Sequence, residues 1–204
     1  MPQIVDVRSA GGRSPLAELV LDDGEKVRLH PRRLDDPGLR PGTTLTGEDM
    51  AAIERLALAD DCEQRALRLL ATRARSTAEL ERRMQVWGLT ADEAAGVLDE
   101  LGRLGVVDDE AFAGALSEQL RRRGHGHLRA RADLERHGVA GAAAGTIADE
   151  HAGGDTDAAR EVVVRRFGRP PYDDVTLRRA LGMLARRGFD EDTVSAVLAV
   201  SPPD

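Results

Sequence analysis

Three glycines fifty residues apart, Gly88, Gly138 and Gly188, stand in the same local text. Four residues before each lies an apolar side chain (Met84, Leu134, Leu184), and directly after each comes another (Leu89, Val139, Phe189). The pattern runs on: Ala94, Val97 and Leu98 are matched by Ala144, Ile147 and Ala148, then by Val194, Val197 and Leu198. A fixed period of this size marks a supersecondary unit that cannot bury its apolar face alone and has to stack on its neighbours. A chain built this way is expected to present surfaces rather than an enclosed catalytic pocket.

Capping signals place the helices. Thr46 with Asp49, Ser76 with Glu79 and Thr90 with Glu93 have the spacing at which a hydroxyl and a carboxylate each satisfy an early backbone amide. The first helix is expected to run from Thr46 towards Cys62 and a second through Ala66, Leu69, Leu70 and Arg73. The next ends at Gly88, and the one after it reaches Leu104 and stops at Gly105. Asp108 or Asp109 then caps a helix through Phe112, Leu116 and Leu120. Further helices are expected over roughly 127–137, 140–150, 156–167, 174–187 and 190–199, with Gly153-Gly154-Asp155 as a hinge and a longer loop around Pro170-Pro171.

Residues 1–46 read differently. Ile4–Val7 is a strand candidate, and Leu19–Leu21 and Val27–Leu29 flank an Asp23-Gly24 turn, a favoured hairpin signal. An isolated hairpin is marginal in water, so this segment must gain a third strand, pack on the helices or dock on a partner. The expected fold is mainly α: three tandem three-helix, helix-turn-helix-like repeats in an elongated array, preceded by a small N-terminal β-hairpin segment. The boundaries read as 1–46 for the strand-rich segment, 47–108 for a linking helix and the first repeat, 109–154 for the second and 155–204 for the third.

Composition limits the setting. Aromatic residues are 2% of the 204, so Leu, Val and Ala must supply most of the core. No apolar run approaches the length that spans a bilayer, and Met1-Pro-Gln-Ile-Val-Asp-Val lacks the basic start and apolar stretch of a signal peptide. The single cysteine, Cys62, cannot form an internal disulfide, which suits a reducing cytoplasm. Flanked by acids, it reads as a small helix residue rather than a nucleophile.

The net charge of −7 argues against indiscriminate coating of nucleic acid, yet the arginines cluster. Residues 160–189 hold eight against three carboxylates, and residues 117–137 hold six against three. Arg178-Arg179 and Arg186-Arg187 recur at eight-residue spacing, so they share a helix face as a basic stripe. Arg121-Arg122-Arg123 reads either as a helix end offsetting the dipole or as a partner contact. The last helix of each unit offers small or acidic residues, poor matches to phosphates or base edges.

An enzyme is the rival class, and little carries it. His125-Gly-His127 and the Asp133/His137 spacing could hold a metal, but no second strong ligand cluster stands beside them. Helix-terminal, solvated histidines are the plainer reading, with His137 at a helix C-terminus. No phosphate loop, nucleophile elbow or dinucleotide fingerprint occurs. Trp87 is expected in the core. No cofactor, no metal and no catalytic residue is expected.

Several blocks carry a resemblance. Arg73-Ala-Arg75-Ser76-Thr-Ala-Glu79-Leu80, the run from Leu101 through Leu104-Gly105-Val-Val107-Asp108-Asp109 to Phe112-Ala113, Arg123-Gly-His-Gly126, Arg136-His-Gly138-Val139 and Arg186-Arg187-Gly188-Phe189 closely resemble the RecX family of recombination regulators. The likeness covers about residues 62–200, and the strand-like start is similar to the N-terminal extension of longer members. Two positions depart from the family pattern: Ala130 replaces a larger aliphatic residue and His127 a proline, which would loosen the middle repeat. The resemblance implies a non-catalytic, cytoplasmic, monomeric modulator that binds the groove of the RecA nucleoprotein filament and limits filament growth, ATP hydrolysis and strand exchange. It leaves open weak or indirect contact with single-stranded DNA, and the alternative of a helical DNA-binding module acting without RecA. The arginines expected to meet RecA or DNA are Arg73, Arg75, Arg121, Arg122, Arg123, Arg178, Arg179, Arg186 and Arg187.

Overall fold

A computed structural model describes residues 1–9, 15–139 and 141–198. The chain divides into two compact units, one of residues 1–74 and 80–106, the other of residues 75–79 and 107 onward. The described residues are mainly helical, with a small antiparallel sheet at the N-terminus.

In the first unit the expected hairpin gains a third strand. Strands β1 (Ile4–Ser9), β2 (Ala17–Leu21) and β3 (Lys26–Leu29) pair antiparallel in chain order, with Leu19 opposite Val27 and Ile4 opposite Leu21. Alternation sets the faces: Ala17, Leu19 and Leu21 point inward along β2, as do Val27 and Leu29 along β3. They meet Leu39, Leu45 and Ile53, with Met50, Leu56 and Ala57 packed alongside. The last four belong to helix α1 (Gly47–Leu70), so the sheet finds its cover there. Sequence reading splits α1 in two near Cys62. The structure shows one 24-residue helix, because no Gly or Pro interrupts Glu48–Leu70 and the acids near its middle have work to do.

That work is electrostatic. Asp60 is 1% exposed and accepts from the His30 backbone amide at 2.7 Å and from the Arg33 guanidinium at 3.0 Å. Glu63, also buried, pairs with Arg32. Two buried carboxylates on α1 thus hold the short 3-10 turns after β3, and removing either partner would strand a desolvated charge. Cys62 lies between them with no exposure, and burial raises its thiol pKa, so it stays a protonated core residue.

Helices α2 (Thr77–Val86) and α3 (Ala91–Arg103) follow. Thr90 and Glu93 form the expected capping box. Glu93 also takes the Arg55 Nε at 2.8 Å, and that guanidinium together with the Thr90 amide holds its carboxyl at about 2. A depressed carboxylate contributes stability above its unfolded value of 4.5 and loses it as pH falls through about 2. In a carboxyl-detected NMR titration, Glu93 is therefore expected to remain ionised well below the ~4.3 of an ordinary glutamate. Arg55→Gln should move its midpoint back towards that value, and a wild-type Glu93 titrating near 4.3 would refute the linkage. Trp87 departs from its expected core place. It is half-exposed with the Arg65 guanidinium 5.5 Å from its ring, while Met84 and Leu89 take the buried positions.

The second unit holds α4 (Asp109–Arg122), α5 (His127–Arg136), α6 (Gly141–Ala152), α7 (Asp155–Phe167), α8 (Asp174–Arg186) and α9 (Glu191–Leu198). The expected helix start at Ala140 and helix end at 199 fall outside the described residues. Helices α4 to α6 enclose Phe112, Ala113, Leu134, Val139 and Ala144; α7 to α9 enclose Ala159, Val163, Ala180, Leu184, Phe189 and Val194. The fifty-residue period is a period of core positions. Met84, Leu134 and Leu184 are each wholly buried, and so are Leu80, Ala130 and Ala180. Leu89, Val139 and Phe189, the residues after the corner glycines, are at most 5% exposed.

One joint is used twice within this unit, which includes the start of α2 up to Glu79. Asp108 caps α4 by accepting from Ala111, whereas Asp109, the first residue of α4, sends its carboxylate to the backbone amide of Thr77 at 2.7 Å. Asp155, the first residue of α7, repeats the move on the amide of His127 at 2.9 Å. Each carboxylate satisfies the first amide of a helix in the preceding repeat, a donor that helix cannot satisfy itself. The corner supplies the second tie. The carbonyl of His137 accepts from the Ser76 hydroxyl, and the carbonyl of Arg187 accepts from the Gly126 amide at 2.9 Å. Asp155 is 1% exposed, so the Gly153-Gly154 link, expected as a hinge, is pinned at its C-terminal side.

Candidate functional site

The arginines expected to meet a partner do not gather at one place. Arg121 and Arg122 both turn to Glu118, within their own helix. Arg73 is exposed after α1 with a guanidinium nitrogen on the Ala74 carbonyl, and Arg75 is 9% exposed. Arg187 acts as a brace: its Nη1 donates to the carbonyls of Arg123 and Gly124 at 2.9 and 3.0 Å, closing the end of α4 onto the end of α8.

Arg123, Arg178, Arg179, Arg186 and Arg187 do come together, joined by two residues that sequence reading left out, Arg165 and Arg166. They line two adjoining concavities of about 370 and 510 Å³, which share Arg166 and Met183. Val162, Phe167 and Met183 form the floor. No carboxylate is among the lining residues. Arg165 pairs with Glu161, one turn back on α7, while Arg166, Arg178, Arg179 and Arg186 make no ion pair with any described residue. Gly182 lies beneath the Arg186 guanidinium, where a Cβ would come within 3.3 Å of it.

Helix dipoles explain only part of this cluster. Arg165, Arg166 and Arg186 lie in the last turns of α7 and α8, where a cation offsets the carbonyl end. Arg178 and Arg179 sit in the second turn of α8, away from its carbonyl end, so the dipole gives no reason for them. Asp173 is close enough to feel both, but its carboxylate is engaged on the Thr176 amide, which lowers its pKa.

His127, His137 and His151 are tied into the packing. His127 Nδ1 meets Asp155 at 2.8 Å, which joins its ring to the start of α7. His137 meets Glu79 at 3.0 Å and sets its ring edge-on to Phe112 at 5.4 Å, while Asp133 binds Arg129 and Arg136. The expected solvated His137 is thus corrected: the ring is drawn into the joint by Glu79. His151, 1% exposed, bridges Ser117 and the carbonyl of His125. Among the described residues no group of three or more His, Cys, Asp or Glu is placed to hold a metal, and none of their helices is long and apolar enough to cross a membrane.

Comparison with known proteins adds the family. The RecX first three-helix domain matches residues 62–101, the end of α1 through α3. A "Regulatory protein RecX" of Stenotrophomonas maltophilia is 37% identical over 142 residues, covering 69% of this chain and 87% of that protein. One of Xanthomonas oryzae pv. oryzae is 37% identical over 140 residues, covering 68% and 88%. Among solved structures, the crystal structure of a regulatory protein RecX superposes with a TM-score of 0.77 at 17% identity, covering 98% of this chain and all of that one. RecX from Lactobacillus salivarius gives 0.62 at 14%, covering 70% and 95%. The structures speak for the fold alone; the sequence relatives, matched over most of their length, carry the assignment, and the chain belongs to the RecX family of regulatory proteins.

Proposed function

We propose that this chain is a negative regulator of RecA that acts by binding, not by catalysis. It lies in the groove of the RecA nucleoprotein filament and limits filament growth, ATP hydrolysis and strand exchange. The observation that carries this reading is the match to proteins named as RecX regulators over 87% of their length. The repeats spanning 47–108, 109–154 and 155–204 serve as successive binding modules in a cytoplasmic monomer. Within the second unit the tie of Asp155 to the His127 amide supports this, because a carboxylate-to-amide bond of this kind holds α7 on α5.

The test is RecA's DNA-dependent ATPase, with filament lengths measured by electron microscopy. Added at a stoichiometry of about one chain per RecA protomer or below, the protein is expected to shorten filaments and reduce ATP hydrolysis. Unchanged ATPase and unchanged filament length at stoichiometric protein would overturn the reading. A second reading, a helical DNA-binding module acting without RecA, is favoured by one observation, the arginines that lack carboxylate partners on α7 and α8.

A further inference from the structure

We propose that the groove between α7 and α8 holds the phosphodiester backbone of a single nucleic-acid strand without reading its sequence. The proposal rests on the regulator reading only for its setting, since a RecA filament contains such a strand.

The chemistry begins with charge. Seven guanidiniums line the two joined concavities, no carboxylate lines them, and of the seven only Arg165 has an ion-pair partner among the described residues. Concentrated positive charge of this kind repels itself and costs stability until an anion enters. The planar guanidinium fork matches phosphate oxygens. Arg178 and Arg179 stand away from the carbonyl end of α8, so its dipole does not account for them.

Shape selects the anion. From Arg178 to Arg186 α8 advances about 12 Å, and Arg166 on α7 continues the lining into the second concavity. That is a track for successive phosphates rather than a cup for one compact anion. The floor of Val162, Phe167 and Met183 offers apolar contact to sugars or bases. Phe167 packs against the core of α7 to α9 and Tyr172 spends its hydroxyl on the Gly168 carbonyl, so neither forms an open stacking platform. Affinity then comes from the backbone and is indifferent to sequence. A duplex is usually met by a protruding helix entering its major groove. The third helix of this repeat, α9, carries Glu191 and Asp192 in its first turn, the wrong charge for that role.

The experiment is fluorescence anisotropy of a labelled oligo(dT) of about twenty nucleotides with the full chain, over a salt series. Wild type is expected to bind at low salt. Arg178→Gln/Arg186→Gln should weaken binding about tenfold or more and reduce the salt slope by about 1.4, the loss of two single-strand phosphate contacts. The control Arg131→Gln/Arg160→Gln removes the same charge outside the groove, from pairs with Glu135 and Asp157, and should stay within about twofold of wild type. Arg178 and Arg186 are exposed, so the groove variant should melt like wild type; Arg166→Gln/Arg179→Gln repeats the test with an independent pair. The proposal is overturned if wild type fails to bind, if both charge-matched variants weaken equally, or if polyglutamate displaces the oligonucleotide as well as unlabelled oligo(dT) does. RecA inhibition by a wild-type chain that binds no oligonucleotide would sink the groove and spare the regulator. Binding without RecA inhibition would do the reverse.

Discussion

Alanine at Gly188 is expected to destabilise the second unit by about 3 kcal/mol or more, from two separable causes. The backbone there has φ +82°, in the left-handed region a Cβ disfavours, and that Cβ would stand 2.4 Å from the Arg129 backbone nitrogen. The second contact is with main chain, so no rotamer change relieves it, and α5 must move away from the corner. Two other glycines isolate the causes. Gly88 has φ +107° with only a Leu58 methyl 3.6 Å away, so Gly88→Ala tests conformation and should cost about 1–2 kcal/mol. Gly126 has no positive φ, but its Cβ would meet the Gly188 carbonyl oxygen at 2.4 Å, so Gly126→Ala tests contact. Urea midpoints should rank Gly188→Ala the most damaging of the three, and hydrogen exchange at the core amides of α5 and α8 should register Gly188→Ala and Gly126→Ala, while Gly88→Ala acts in the first unit. If Gly188→Ala proves no worse than Gly88→Ala, the close approach at the corner is wrong.

These glycines also show where sequence reading succeeds. The repeat was legible because each copy places the same apolar residues in the same core positions, and burial at Met84, Leu134 and Leu184 follows that text. Caps were legible for the same local reason: Thr46, Ser76, Thr90 and Asp108 each accept from the amide three residues on. The fate of α1 was not, because Asp60 and Glu63 look like a polar interruption until Arg32 and Arg33 are brought against them from some thirty residues away.

The candidate groove was half legible. Spacing alone put Arg178 and Arg186 on one face of α8, since helical period is a property of the segment. Arg165 and Arg166 belong to another helix, and only the packing of α7 on α8 aligns them with the stripe. The same packing demotes Arg187. Its neighbours in sequence suggest a free cation, yet the exposed carbonyls at the end of α4 claim its guanidinium. Arg121 and Arg122 are claimed likewise by Glu118. Clustered arginines in a sequence therefore overstate the charge a partner can meet, and the joint between repeats decides which remain available.

That joint depends on a buried acid, and Asp155→Ala should be the second costly change. The carboxylate accepts from the His127 amide at 2.9 Å and meets its Nδ1 at 2.8 Å, while α5 has only Gly126 as its own N-cap and no side chain to offer. Deletion leaves the first amide of α5 unsatisfied in a site that is 1% exposed at Asp155. The loss of a cap together with a charge-assisted hydrogen bond suggests about 2–3 kcal/mol. Asp155→Asn keeps an acceptor for the amide and gives up the charge, so it should cost roughly half as much. The direct readout is exchange of the His127 amide, which should accelerate by about tenfold or more in the alanine variant before global unfolding intervenes. Asp109→Ala, which strips the same tie from Thr77, should fray the start of α2 in the same way; a Thr77 amide still protected in that variant, with His127 protected in Asp155→Ala, would show that the corners and not the carboxylates hold the repeats together.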